Sequence, residues 1–185
     1  MTITSNYSFY DYAYLAQRTC VALRTRELNK LHFHLGLITE IGEICDMYKK
    51  HIAYGKDFDL VNLGEEWADT CWYIANDMLL DKYDFSRITD AAIEARMNYL
   101  KMLKQEGVSD IEQFISFMKR VTNDGDESME DVYLDWLAFG YVIFDNPEDW
   151  LKKNIEKLKA RFPDKFTEEN AINRDTTKER QILEG

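Results

Sequence analysis

Proline and glycine are scarce in this 185-residue chain, with 2 and 8 respectively. Short strands joined by tight turns need such residues at frequent intervals, so a turn-rich β architecture is excluded. A disulfide framework is excluded too. The three cysteines, Cys20, Cys45 and Cys71, are odd in number, far apart, and form neither a C-x-x-C pair nor a zinc spacing. They read as reduced core residues. Basic charge is short as well: 23 Lys and Arg face 34 Asp and Glu, a net charge of −11. That sign argues against nonspecific binding to a nucleic acid polymer. It leaves a nucleotide open as a substrate, because a bound divalent cation inverts the local field. No apolar run is long enough to cross a bilayer; the longest, Val132 to Phe144, is interrupted by Asp135. Residues 1–18 lack both the basic start and the apolar stretch of a signal peptide. The expectation is a soluble, cytoplasmic, single-domain protein with no membrane partner.

What is present is a period-3.6 apolar pattern almost throughout, which points to an all-α chain. Its centre is Leu31 to Asp77, where two acidic signatures occur, Glu40-x-x-Glu43 and Glu66-x-x-Asp69. Residues three apart share a helix face, so each signature aims two carboxylates in one direction. Tyr54-Gly55-Lys56-Asp57 between them reads as a turn, with Gly55 as terminator and Asp59 or Asn62 as the next N-cap. At about 1.5 Å per residue, an antiparallel hairpin brings both acidic pairs to nearly the same level. Four converging carboxylates repel one another unless a cation sits among them. Oxygen-only donors favour Mg²⁺ or Mn²⁺, and a di-iron site of the Glu-x-x-His kind is absent, since none of the three histidines has Glu three residues before it. The apolar stripes beside the acids are His34, Ile38, Ile41, Cys45, Tyr48 and Ile52 on the first helix, and Leu63, Trp67, Cys71, Ile74 and Met78 on the second.

Around this hairpin the remaining helices can be placed in order. Ser8 is expected to cap a first helix burying Phe9, Tyr12, Ala13, Ala16, Cys20 and Leu23. A helix from Ser86 to Lys104 follows, then one capped by Ser109 and marked by Ile111, Phe114, Ile115 and Met118. Thr122 to Asp126 has the look of a calcium loop, but Arg120 and Thr122 fall where that loop needs acids, so it reads as a turn. Ser128 opens a helix through Tyr133, Trp136, Gly140 and Phe144, and Pro147 suits the first turn of another. On that last helix Leu151, Ile155, Leu158 and Phe162 form the apolar face, with Asn154, Lys157 and Arg161 as a polar stripe beside it. Beyond Pro163 the 163–185 tail is polar and is expected to be extended.

Taken together, these residues resemble the MazG-like all-α nucleoside triphosphate pyrophosphohydrolases. The resemblance rests on His32 ahead of Leu35-Gly36-Leu37, Thr39-Glu40-Ile41-Gly42-Glu43-Ile44, Lys49-Lys50-His51, Tyr54-Gly55-Lys56, Asn62-Leu63, Glu65-Glu66, Asp69 and Trp72-Tyr73. It resumes at Asn154 to Arg161 and at Asn173-Arg174-Asp175, covering roughly residues 29–80 and 147–183. Two departures stand out: Trp67-Ala68 replaces the usual Leu-Gly, and residues 81–146 form a helical insertion.

The resemblance implies hydrolysis between the α and β phosphates of a nucleoside triphosphate, giving the monophosphate and pyrophosphate. It implies Glu40, Glu43, Glu66 and Asp69 as Mg²⁺ ligands, with Mn²⁺ as a substitute, and one of them or Glu65 orienting the attacking water. A capping box with Asn62 is the other role open to Glu65. Lys50, Lys56, Lys157 and Arg161 are candidate phosphate contacts with Asn154 as a neutral partner, against the plain role of solvated lysines. Trp72, Tyr73 and His32 are candidates for the base pocket, against core packing. A narrower dCTP, dUTP or signalling-nucleotide pyrophosphatase, a non-catalytic Mg-nucleotide binder, and an interaction bundle are the alternatives. A homodimer or homotetramer is expected, because the hairpin needs further helices and Phe9, Tyr10, Tyr12 and Tyr14 offer more aromatic surface than one buried face uses. The 81–146 insertion is the competing source of those helices.

Overall fold

The computed structural model describes residues 9–122, 128–163 and 166–185, and among them the chain is all-α. Helix α1 is Phe9–Gln17, α2 Arg26–Tyr54 and α3 Leu60–Leu80. A short 3₁₀ turn at Phe85–Arg87 leads into α4, Asp90–Gln105, followed by α5, Asp110–Thr122, and α6, Met129–Ile143. Helix α7 is Pro147–Arg161, α8 Glu168–Ile172 and α9 Thr176–Glu184. None of these helices is long and apolar enough to cross a membrane.

The hairpin of α2 and α3 is set by its turn. Gly55 ends α2 at φ 60°, a conformation that penalises any side chain. Asp59 starts α3 by accepting from the Val61 and Asn62 amides, both at 3.0 Å. Ser109 caps α5 in a reciprocal box with Glu112, Ser128 caps α6, and Pro147 opens α7. Ser8 and the 123–126 part of the expected turn lie outside the described residues.

Several boundaries and faces differ from the sequence reading. Helix α4 begins at Asp90, capped by Thr89, because Phe85–Arg87 takes the tighter turn first. On α2 the buried stripe is Phe33, Leu37, Ile41, Ile44 and Tyr48, whereas Ile38 and Ile52 are exposed. Cys20 and Leu23 lie beyond the end of α1, and Leu23 is exposed. The tail is not extended: α9 packs along α7, held by Lys153 Nζ donating to the Leu183 carbonyl at 2.7 Å and by the Arg161–Glu179 ion pair.

Helix α6 docks on α3 through Trp67. Its indole N–H donates to the Trp136 carbonyl at 3.0 Å, and the Trp136 indole donates to the Trp67 carbonyl at 3.1 Å. Both rings are buried, and Gly140 of α6 lies so close to the Trp67 ring that a Cβ would sit 2.3 Å from it. Beneath them Trp136 stacks between Phe117 and Phe139, at centroid distances of 4.4 and 5.3 Å. Arg96 of α4 donates to Asp131 and Asp135 of α6, and Arg120 of α5 pairs with Asp135 as well. Helices α1, α6 and α7 therefore surround α3 within one chain. That meets in cis the need for further helices, and the aromatic residues Phe9 and Tyr12 are buried there too.

Candidate metal centre

Three carboxylates meet where α2 crosses the second turn of α3. One oxygen each from Glu40, Glu66 and Asp69 lies within 4.8 Å of the others. Glu43 stands at the rim; it is exposed, lines the same cavity and acts on Glu40 and Glu66 by its charge, without joining the tight group. The close approach of α2 and α3 here depends on Gly36, whose Cα faces the Tyr73 ring with no room for a Cβ.

Burial and mutual repulsion govern the acids. Burial raises the pKa of Glu40, and the Asp69 charge adds to it. Glu66 is raised further, first by burial and then by the hydrogen bond it shares with Glu40. A hydrogen bond between two carboxyl groups needs a proton between them, so this pair holds one in the absence of a cation. A hard divalent cation among these oxygens would relieve the repulsion between the acids. Glu40, Glu66 and Asp69 thus form an all-oxygen group that could hold a metal ion, with Glu43 lining the same cavity.

Helix α7 supplies the counter-charge. Lys157 is 1% exposed, and its Nζ donates to Asp69 Oδ2 at 2.6 Å and to Glu65 Oε1 at 3.0 Å. Burial works against this ammonium, but Asp69 and Glu65 outweigh it and hold its pKa above the ordinary lysine value. Asn154, fully buried, donates to the other oxygen of Asp69, while its own Oδ1 accepts from Tyr12. Asp69 is thereby fixed by both atoms. Glu65 is held by Lys157, and α3 is capped by Asp59, so the capping box with Asn62 does not form.

A cavity of about 470 Å³ opens beside the acids. Its walls include Trp72, Tyr73 and His32 on one side and Leu158, Arg161 and Phe162 on another. Trp72 spends its N–H on the Ala16 carbonyl and Thr19 Oγ, so only its ring serves the cavity. His32 packs edge-on to Tyr73 at 5.8 Å; burial lowers its pKa, and its Nδ1 is buried with no hydrogen-bond partner. Arg161 reaches the cavity with its guanidinium forked on Glu179, the Nε–Oε1 distance being 2.8 Å.

Two expected phosphate contacts do not belong here. Lys50 is exposed and pairs with Asp46 one turn earlier on α2. Lys56 is exposed in the hairpin turn, where its carbonyl accepts from His51. Neither lines the cavity: Lys50 is ten residues, about 15 Å, along α2 from Glu40. In their place the structure brings Arg174 and Phe166 to the cavity and Glu179 behind Arg161. Asp175 capping Lys178, with Glu179 and Leu183 four apart, was the signal for α9.

Comparisons with protein-family models, with curated proteins and with solved structures find no match.

Proposed function

We propose that this chain is a Mg²⁺-dependent nucleoside triphosphate pyrophosphohydrolase, cleaving between the α and β phosphates. The observation that carries the reading is the convergence of Glu40, Glu66 and Asp69, within 4.8 Å of one another, beside a cavity with an aromatic wall and an arginine wall. It agrees with the resemblance to the MazG-like enzymes. Glu40, Glu66 and Asp69 would hold a divalent cation, which would supply charge neutralisation for phosphate oxygens.

The chain's own residues divide the remaining work. Lys157 and Asn154 keep Asp69 in one orientation, which preorganises the acids rather than touching a phosphate. This moves Lys157 from phosphate contact to buried support. Glu65, half-buried at the cavity and held on one oxygen by Lys157, has its other oxygen available to take a proton from an attacking water. Arg161 and Arg174 are the cations of the cavity wall suited to a polyphosphate. Trp72 and Tyr73 offer ring surface to a base, and the unpartnered Nδ1 of His32 offers a hydrogen bond.

A panel of ribo- and deoxynucleoside triphosphates, incubated with Mg²⁺ and resolved by product, tests this. Monophosphate and pyrophosphate are expected in equal amounts. Orthophosphate as the first product would refute the assigned bond, and nucleotide binding without turnover would select the non-catalytic alternative.

A further inference from the structure

The cavity beside the metal centre is lined by five acids, Glu40, Glu43, Glu65, Glu66 and Asp69, against two arginines, Arg161 and Arg174. Arg161 follows Lys157 by one turn on the same stripe of α7, and Lys157 already touches Glu65 and Asp69. Burial works against the Arg161 guanidinium, but Glu179 first, and then Asp69 and Glu65, hold its pKa above the ordinary arginine value. The acids of the cavity therefore pull on Arg161, yet its Nε and Nη2 both go to Glu179 on α9. This pair is shielded from water, with side chains 15 and 8% exposed. Helix α9 has other fastenings: Leu183 is buried, Lys153 holds the Leu183 carbonyl, and Arg180 reaches Asp59 at 3.2 and 3.3 Å. A buried ion pair stabilises a fold no better than apolar residues of similar volume, so docking of α9 does not by itself account for Glu179.

We propose that Glu179 is a positioning residue for the metal centre: it holds the Arg161 guanidinium at the cavity wall and keeps it off the carboxylates that would bind the cation. A guanidinium matches a carboxylate with two parallel hydrogen bonds. Released from Glu179, Arg161 would make that match with Glu65 and the acids around it, one turn from where Lys157 already sits. There it would compete with a divalent cation for the same oxygens. Held by Glu179, it keeps Nη1 for a phosphate oxygen and has no fork to offer the acids. Glu179 neither lines the cavity nor belongs to the group of three acids, so it acts through Arg161 alone. The inference rests on the proposed metal centre, and a Mn²⁺ titration separates the failure of one from the failure of the other.

Calorimetric titration of Mn²⁺ into the metal-free full chain tests it. Glu179→Gln keeps the shape of the side chain and removes its charge. It is expected to weaken binding at least about tenfold, the scale on which partners outside the ligand shell act. Glu179→Asp keeps the charge but shortens the reach, and is expected to weaken binding less. Adding Arg161→Gln to Glu179→Gln removes the competitor and is expected to restore the wild-type affinity, a rescue that a role in packing alone would not give. Lys153→Met loosens α9 at Leu183 without touching Arg161 and is expected to leave the affinity unchanged. Wild-type affinity in Glu179→Gln overturns the proposal. So does a double variant as weak as the single one, or a loss in Lys153→Met equal to that in Glu179→Gln. A wild type that binds no Mn²⁺ overturns the metal centre itself, and this inference with it.

Discussion

Replacing Lys157 by methionine keeps its unbranched side chain to within one atom and removes its charge. In the wild type the ammonium is 1% exposed and touches Asp69 and Glu65, which are 22 and 21% exposed at the side chain. Without it Asp69 stands among Glu40 and Glu66 with Asn154 as its remaining polar support. Breaking a buried ion pair by removing one partner costs about 3 to 5 kcal/mol. The partial exposure of both acids puts the expected loss near the lower end, about 3 kcal/mol. For a chain of this size 1 kcal/mol shifts the melting temperature by about 2 to 4 °C, so Lys157→Met is predicted to melt roughly 6 to 12 °C lower without metal. A divalent cation replaces part of the missing positive charge, so added Mg²⁺ is predicted to raise the melting temperature of the variant more than that of the wild type. Calorimetry at neutral pH, first with chelator and then with Mg²⁺, measures both effects. Asp69→Asn added to Lys157→Met removes the uncompensated charge and should recover part of the loss. A metal-free loss below about 1 kcal/mol, within the range of exposed pairs, would show that Lys157 is not the counter-charge of the site.

Three further predictions concern the same core. Glu40 rises from 4.5 to about 7 and Glu66 to about 10, so the folded chain keeps protons that the unfolded chain has released. The contribution of this pair is therefore full below about pH 4.5 and is lost as pH climbs through 7 and beyond, and a metal-free melting temperature that rises across that window would refute it. Glu66→Gln replaces a carboxyl that must take up a proton to be buried beside Glu40, so its metal-free melting temperature at pH 8 should hold or rise while stabilisation by Mg²⁺ disappears; a clear metal-free loss contradicts the shared proton. Trp67→Ala leaves a cavity against Trp136 and Gly140 and is expected to cost about 3 to 5 kcal/mol. Near-ultraviolet circular dichroism should report loosened packing of α4–α6, and an unchanged spectrum and stability would mean that these helices are held elsewhere.

The hairpin was legible in the sequence because local chemistry fixes it: Gly55, Asp59 and the spacing of Glu40, Glu66 and Asp69 act over a few residues each. The register of α2 was not, because Leu28, Leu31, Leu35 and Ile38 outline one apolar phase and Phe33, Leu37, Ile41 and Ile44 another. Periodicity alone fits both, and the expected stripe mixes them: Ile41 and Tyr48 are buried, whereas His34, Ile38 and Ile52 are exposed. Helix α9 escaped notice for a different reason. It is held less by an apolar stripe than by polar ties, Arg161 to Glu179, Lys153 to the Leu183 carbonyl and Arg180 to Asp59, whose partners lie up to 121 residues apart. Lys157 and Lys50 look alike in sequence, yet one is buried against Asp69 and the other reaches solvent beside Asp46. Trp67 is the ring on which α6 docks through Trp136, a contact between residues 69 apart that no local pattern announces.

Titration of Mn²⁺ into the metal-free protein, followed by calorimetry near pH 7 in two buffers of different ionisation enthalpy, tests the three-carboxylate centre most directly. Binding is predicted, with a buffer-dependent heat that reports release of the proton shared by Glu40 and Glu66, and with both signals lost in Glu40→Gln and Glu66→Gln. Absence of binding in the wild type, or binding that persists in both variants, would contradict it.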